Sequence, residues 1–93
     1  MKASDTQTTT VRILYFARLR ETLGKGEEEL VLPDGVATVG DLAHFLRHRG
    51  DVWETELGTG RAVRVAVNQD MASPDTVING GEEIAFFPPV TGG

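Results

Sequence analysis

The stretch VRILYFA at residues 11–17 decides the fold. Its β-branched and aromatic residues are typical of a β-strand, in which successive side chains point to opposite faces. One face of this strand carries Ile13 and Tyr15. The other carries Leu14 and Phe16. Because both faces are partly apolar, the segment is predicted to lie at the centre of a sheet and not at its edge.

Four other segments have the character of strands. Residues 83–87 (EIAFF) are predicted to form the last strand, and Pro88-Pro89 ends it because proline donates no hydrogen bond to a ladder. Turn-forming residues separate the strands from one another. The remaining predicted strands are 28–32, 63–67 and the short 71–72.

One substantial helix is predicted between residue 38 and Gly50. Thr38 can cap its first turn, and the carboxylate of Asp41 can reach back to the cap, as in a capping box. Apolar residues then recur with helical spacing until Gly50 ends the helix. A short helical turn is predicted at 18–23, and residues 51–61 are predicted to be a loop with some helical turns.

This order of elements, β-(turn)-β-α-β-β-β in 93 residues, predicts an α+β fold with one main helix packed on one face of a mixed sheet. A right-handed crossover lets the first and last strands lie side by side at the centre, which is the β-grasp arrangement. The domain is predicted to span residues 11–88. Residues 1–10 are predicted to be a disordered extension, and residues 89–93 a flexible C-terminal Gly-Gly tail.

Composition and charge exclude several functions. The absence of cysteine rules out disulfides, thiolate nucleophiles and cysteine-ligated metals. The net charge is −5, and the whole excess lies in the second half of the chain. Such a surface disfavours nucleic acid and predicts a basic protein partner. Apolar runs fall far short of the ~20 residues that span a bilayer. Residues 1–10 lack the apolar segment of a secretory signal, so we expect a cytoplasmic location and no membrane partner.

The last six residues, PPVTGG at 88–93, suit insertion into another protein. Glycine has no Cβ, so Gly92-Gly93 is the thinnest peptide available and can present a terminal carboxylate deep in a narrow channel. Pro88-Pro89 supplies a stiff stem before this flexible tip. The alternative is an ordinary frayed terminus, and composition alone does not decide between the two.

An apolar patch is predicted on the sheet face that points away from the helix. Strand alternation directs Phe16 and Phe87 to this face, and Met71 can join them. An apolar cluster facing solvent on a small domain marks a partner site. The alternative is that the loop at 51–61 folds over the patch.

The other candidate sites carry weaker signals. His44 and His48 stand four residues apart on the predicted helix, but no third ligand is evident, so a solvated helix face is the better interpretation and no metal site is predicted. The glycine-rich stretches at 24–26 and 58–60 lack the phosphate-loop pattern. No nucleophile stands with a base and an orienting acid, so the domain is expected to have no active site of its own.

Three segments carry a family resemblance: ILYFARLRETLG at 13–24, AVNQ at 66–69 and, most specific, GGEEIAFFPPVTGG at 80–93. They resemble the MoaD-like small subunits of molybdopterin synthase, which are sulfur carriers of the ubiquitin-like β-grasp class within the MoaD/ThiS superfamily. The resemblance covers about residues 11–93.

The resemblance implies chemistry at the tail. An E1-like, MoeB-like enzyme would adenylate the carboxylate of Gly93 with ATP, and a sulfur donor system would convert the acyl-adenylate to a thiocarboxylate. Gly92 would keep the tip slender as it enters the large, MoaE-like subunit. There the sulfur would pass to cyclic pyranopterin monophosphate, a step of molybdenum cofactor biosynthesis. The carrier itself is expected to bind no cofactor, because ATP is used by the activating enzyme.

The resemblance also implies how the carrier docks, in a heterotetramer with the large subunit. Phe16, Met71 and Phe87 would form the apolar dock, the same patch that strand alternation indicates. The stem and tail would contact the partner through Pro88, Pro89, Val90 and Thr91.

Three other functions stay open at this point. A ThiS-like carrier of the thiamin pathway also ends in Gly-Gly, although such carriers typically lack the Phe-Pro-Pro stem. A ubiquitin-like modifier would be joined through Gly93 to lysine amines of other proteins, and it uses the same adenylation. A plain β-grasp binding module would have an incidental Gly-Gly end.

Overall fold

The computed structural model describes residues 9–58 and 62–89. These residues form five strands and three helices. In chain order they are β1 Thr10–Tyr15, α1 Arg18–Leu23, β2 Glu27–Val31, α2 Val39–Arg47, α3 Asp51–Leu57, β3 Arg64–Val67, β4 Asp70–Met71 and β5 Glu83–Phe87.

The five strands form one mixed sheet in the order β2-β1-β5-β3-β4. The first and last strands lie side by side and parallel, with Ile13 opposite Ile84 and Tyr15 opposite Phe86. The other strand pairs are antiparallel. The predicted β-grasp arrangement, with the first strand central, is therefore confirmed.

The helices cover one face of this sheet and leave the other face open. Every second residue of the two central strands points into the core, so that Ile13, Tyr15, Ile84 and Phe86 are almost completely buried. The helices meet them with their own apolar residues, which include Leu19 of α1, Leu42 and Leu46 of α2, and Leu57 of α3.

The start of α2 follows the sequence prediction. The Thr38 side chain accepts a hydrogen bond of 3.1 Å from the backbone N–H of Asp41, and the Asp41 carboxylate accepts from the backbone N–H of Thr38 at 3.2 Å. This reciprocal pair is a capping box. It fixes the first turn of the helix that covers the centre of the sheet.

Two predicted boundaries are wrong. The helix α2 ends at Arg47, and Gly50, predicted to terminate it, is the N-cap of α3. Residues 51–61 were predicted to be a loop with some helical turns, and residues 51–57 of this stretch form the continuous helix α3. Its acidic first turn, Asp51 and Glu54, suits the positive end of a helix, and its apolar residues Trp53 and Leu57 pack against the core.

The strand β1 also differs from the prediction at both ends. It begins at Thr10, and the N–H of Leu32 donates to the carbonyl of Thr9 at 2.8 Å. It ends at Tyr15 because Ala17 takes a positive φ of 55° and turns the chain into α1. The rest of the predicted extension, residues 1–8, lies outside the described residues. Within the described part of the chain, no helix has the length and apolarity needed to cross a membrane.

Candidate functional site

The open face of the sheet has an apolar row across its centre. Leu14 of β1 lies opposite Ala85 of β5, Ala85 lies opposite Ala66 of β3, and Ala66 lies opposite Met71 of β4. The two alanines keep the middle of this row shallow, and the longer side chains stand at its ends. Met71 is 61% exposed, which is high for a large apolar side chain.

Two phenylalanines form the next row, toward the end of β5. The N–H of Phe16 donates to the carbonyl of Phe86 at 3.1 Å, which places Phe16 one step beyond the ladder, beside Phe87. Phe16 is 44% exposed and Phe87 is partly buried. The structure thus brings Phe16, Met71 and Phe87 to one face, as strand alternation predicts.

Residues 51–58, the described part of the segment proposed to shield the open face, lie on the helix side of the sheet. Within residues 51–58, Trp53 meets Tyr15 edge to face at 5.4 Å, on the helix side of the sheet, and Leu57 is part of the core. The apolar patch on this face, which we call the dock, consists of Leu14, Phe16, Ala66, Met71, Ala85 and Phe87. Phe16 and Met71 are its exposed members, Ala66 is buried, and the others are half-buried. An exposed apolar patch of this kind is suited to a protein partner.

The dock borders a broad shallow concavity of about 610 Å³ at its β1–β2 end. Leu14 and Phe16 line it together with charged side chains, among them Arg12, Arg20 and Glu27. Arg12 donates to the carboxylate of Glu27 at 3.1 Å. The apolar dock is thus bounded by a polar rim, the arrangement common in protein interfaces.

The strand β5 connects the dock to the chain terminus. Phe87 belongs to the dock, and Pro88 and Pro89 follow it as partly buried residues outside the ladder. The predicted site residues Val90, Thr91, Gly92 and Gly93 lie outside the described residues. The docking role of the stem and the chemical role of Gly93 stay predictions.

Glu82 and Glu83, adjacent in sequence, have different tasks. The carboxylate of Glu82 accepts hydrogen bonds from the backbone N–H groups of Asn79 at 2.8 Å and Gly80 at 2.7 Å. It therefore holds the turn that leads into β5. Glu83 lies on the open face opposite Arg12, and its backbone N–H donates to the side chain of Asn68. No local sequence pattern indicates the turn-holding role of Glu82.

A polar network on the helix side was also missed. The hydroxyl of Tyr15 donates to Oε2 of Glu28 at 2.6 Å, and Arg49 donates to both carboxylate oxygens of Glu28 at 2.8 and 3.0 Å. The guanidinium of Arg49 lies 4.5 Å above the ring of Trp53, a cation–π contact. The spacing of these residues in the sequence gives no signal for this network, because three separate elements and the turn between α2 and α3 contribute to it.

The network shifts the pKa values of its members. Burial, helped by the hydrogen bond to Glu28, raises the pKa of Tyr15 well above its ordinary range. Burial acts to raise the pKa of Glu28 as well, but the hydrogen bonds from Arg49 and Tyr15 outweigh it and hold the pKa of Glu28 below its usual value. Glu28 is therefore ionised at neutral pH and Tyr15 keeps its proton.

The weaker candidates have structural tasks. The rings of His44 and His48 stack edge to face at 4.4 Å, and Nδ1 of His48 donates to the carbonyl of His44 at 2.9 Å. No group of three possible metal ligands occurs among residues 9–58 and 62–89. Gly24 takes a left-handed φ of 80° as the C-cap of α1. The stretch at 59–61 lies outside the described residues.

Several known proteins are similar to this chain in sequence and in fold. The molybdopterin synthase sulfur carrier subunit of Haemophilus influenzae is 39% identical over 83 residues, which cover 89% of this chain and 99% of that protein. A Pyrococcus furiosus protein named molybdopterin converting factor, subunit 1, has a solved structure with a TM-score of 0.73 and is 33% identical. It matches 88% of this chain and 99% of its own.

A protein with a different name has the same fold. The small archaeal modifier protein 1 of Haloferax volcanii is 31% identical with a TM-score of 0.63, over 88% of this chain and 99% of its own. Residues 13–93 match the ThiS family throughout. The chain therefore belongs to the ThiS family.

Proposed function

We propose that this protein is the sulfur carrier subunit of a molybdopterin synthase, and that it carries sulfur as a thiocarboxylate on Gly93. The 39% identity to a sulfur carrier subunit over nearly its whole length supports this function. The family match, which reaches residue 93, supports the role of the tail.

The observation that carries the proposal is the continuity between the dock and the tail. The central strand β5 places Phe87 in the dock and leads directly into Pro88 and Pro89. Six residues, 88–93, then extend at most about 20 Å. In a complex with a partner that covers the dock, the carboxylate of Gly93 therefore lies within about 20 Å of the end of β5. A narrow channel in that partner can admit only a tip as thin as Gly92-Gly93.

The chemistry is shared between the carrier and its partners. An E1-like enzyme joins the carboxylate of Gly93 to the AMP part of ATP and releases pyrophosphate. A sulfur donor displaces AMP from the acyl-adenylate and leaves a thiocarboxylate. In the large subunit the sulfur passes to cyclic pyranopterin monophosphate, and water returns Gly93 to a carboxylate. Sulfur suits this role because it is a far better nucleophile than a carboxylate oxygen at neutral pH.

The decisive experiment is the intact mass of the full chain before and after incubation with an E1-like activating enzyme, ATP and a sulfur source. We expect a mass increase that corresponds to the replacement of one oxygen by one sulfur, and no increase when Gly93 is deleted. The deletion leaves residues 9–89 intact, so a folded circular dichroism spectrum should accompany the loss. An unchanged mass in the presence of an active E1-like enzyme would refute the proposal.

A second candidate, a protein modifier joined through Gly93 to lysine amines, is favoured by the likeness to small archaeal modifier protein 1. The two functions share adenylation and differ in the acceptor. Covalent conjugates that survive a denaturing gel and a thiol wash would indicate the modifier. Sulfur transfer to the pterin precursor in the presence of the large subunit, without conjugates, would indicate the carrier.

A further inference from the structure

Arg64 borders the dock. It is the first residue of β3 and lies directly opposite Phe87 in the ladder. The next residue, Val65, lies opposite the buried Phe86 and packs against the core. Because side chains alternate along a strand, Arg64 points to the open face, where it is exposed beside the phenylalanine pair. One guanidinium thus borders the apolar dock at its β3 side.

Arg64 has no carboxylate partner among residues 9–58 and 62–89. Four other cations of the described residues each form an ion pair with a glutamate, namely Arg12, Arg18, Lys25 and Arg49. In the isolated protein, water solvates Arg64. When a partner covers Phe87, this solvation is lost, and a guanidinium taken out of water needs an anion to replace it.

Charged residues of the open face lie toward both ends of the strands, and the cation Arg12 lies among the glutamates. Glu83 and Glu29, both opposite Arg12, lie at the end of the face where β5 begins. Arg64 lies at the other end, where β5 leads into the tail. A partner that places an acid over Arg64 therefore gains a charge contact beside Phe87, at the end of the face nearest the tail.

Resting on the proposed function, we infer that Arg64 is a specificity-determining residue of the dock, and that it pairs with a carboxylate on the large subunit. The whole domain carries a net charge of −5, so the surface that receives it is expected to be basic overall. A carboxylate within that surface, opposite Arg64, selects this carrier. A large subunit with a cation at that place is rejected, because like charges would meet beside the apolar contact.

The test is the affinity of the full-length carrier for its purified large subunit, measured by calorimetry, for the wild type and for Arg64→Glu, Arg64→Leu and Arg64→Lys. We expect Arg64→Glu to weaken binding by about tenfold or more, because two acids then face each other. Arg64→Leu should also weaken it, although leucine extends the apolar dock. Arg64→Lys should bind between the wild type and Arg64→Leu, because lysine keeps the charge and loses the bidentate geometry.

A matched control is Arg47→Glu. Arg47 lies on α2, across a cleft of about 330 Å³ that it lines together with Arg64, and off the open face. The substitution Arg47→Glu changes the net charge by the same amount as Arg64→Glu, close to Arg64 but off the open face. We therefore expect it to bind the large subunit with wild-type affinity. Equal losses for Arg47→Glu and Arg64→Glu would show a general charge effect and overturn the inference.

The inference and the proposed function fail in different ways. If the wild type binds the large subunit but Arg64→Leu binds equally well or better, Arg64 has no carboxylate partner, and the carrier function stands. If the wild type gains the sulfur mass but does not bind the large subunit, the inference and the assignment to the synthase both fail. If Arg64→Glu abolished self-association of the carrier but left binding to the large subunit unchanged, the partner of Arg64 would be a second copy of this chain. That result would also overturn the inference.

Discussion

The hydroxyl of Tyr15 donates a hydrogen bond of 2.6 Å to the carboxylate of Glu28, across the pair of strands β1 and β2. The same carboxylate accepts hydrogen bonds from two guanidinium nitrogens of Arg49. The Glu28 side chain is only 13% exposed. Arg49 lies between α2 and α3, so one carboxylate joins the sheet edge to the helix layer. A partly buried network in which every polar group has a hydrogen-bond partner contributes more to the stability of the fold than an ion pair exposed to water.

Glu28→Gln is predicted to destabilise the protein. The change removes the negative charge that faces Arg49 and turns one acceptor into a donor, so we expect a loss of about 1–3 kcal/mol in the free energy of unfolding. Chemical denaturation with urea at pH 7 measures it. The matched control is Glu29→Gln, an exposed neighbour on the same strand, which should stay within about 0.5 kcal/mol of the wild type. Equal stability of both variants would contradict the role of the network.

The stability contributed by Glu28 is predicted to depend on pH. Its pKa is held below its ordinary value by Arg49 and Tyr15 despite the opposing effect of burial. A lowered folded-state pKa means that the contribution is fully present above the unfolded pKa, about 4.3, and is lost as the pH falls through the folded pKa. The difference in unfolding free energy between the wild type and Glu28→Gln should therefore be constant from pH 7 to about 5 and shrink below about 4. A difference that stayed constant down to pH 3 would contradict the lowered pKa.

Local sequence signals predicted the central features of the fold. The apolar residues on both faces of the first strand placed it at the centre, and Thr38 with Asp41 located the start of α2. These signals succeed because each depends on neighbours in the chain. The role predicted for Gly50 was wrong because a glycine with positive φ can either end a helix or precede one. Gly50, with a φ of 84°, is the N-cap residue of α3.

The candidate site was predictable in part for the same reason. The face occupied by Phe16, Met71 and Phe87 follows from the two-residue period of a strand. The place of Arg64 beside Phe87 depends on the register between β3 and β5, which the sequence does not state. The contacts of Glu28 with Tyr15 and Arg49 depend on how the helix layer lies on the sheet, and no local pattern encodes that.

Charge reversal is predicted to separate Glu82 from Glu83. Glu82→Lys removes the acceptor of two backbone N–H groups in the turn at 79–81, so we expect lower stability, by about 1–3 kcal/mol. Glu83→Lys leaves that turn intact and changes the open face, so we expect near-native stability and weaker binding to a basic partner, with a reduced salt dependence. Thermal unfolding and titrations at two salt concentrations measure both effects. The prediction fails if Glu83→Lys leaves the affinity and its salt dependence unchanged.

Met71→Ser is predicted to impair docking without impairing folding. The side chain is 61% exposed at the end of the apolar row, so it contributes little to the core, and its loss should change the unfolding free energy by less than about 0.5 kcal/mol. In the complex, the same side chain would be covered, and its truncation should weaken binding to the large subunit by about tenfold. Because the tail is untouched, an excess of activating enzyme should still convert Gly93 to the thiocarboxylate.

The matched control for Met71 is Val77→Ser. Val77 is an apolar residue that is 60% exposed, about as much as Met71. It pairs with Thr38 on the helix side of the molecule. Its replacement removes a comparable exposed apolar group away from the dock, so binding should stay at the wild-type level. If both variants bound the large subunit equally well, the open face would not be the docking surface, and the tail alone would have to supply the affinity. If only Met71→Ser lost affinity while its mass shift persisted, docking and sulfur loading would be separate properties of one small domain, the first on the open sheet face and the second at Gly93.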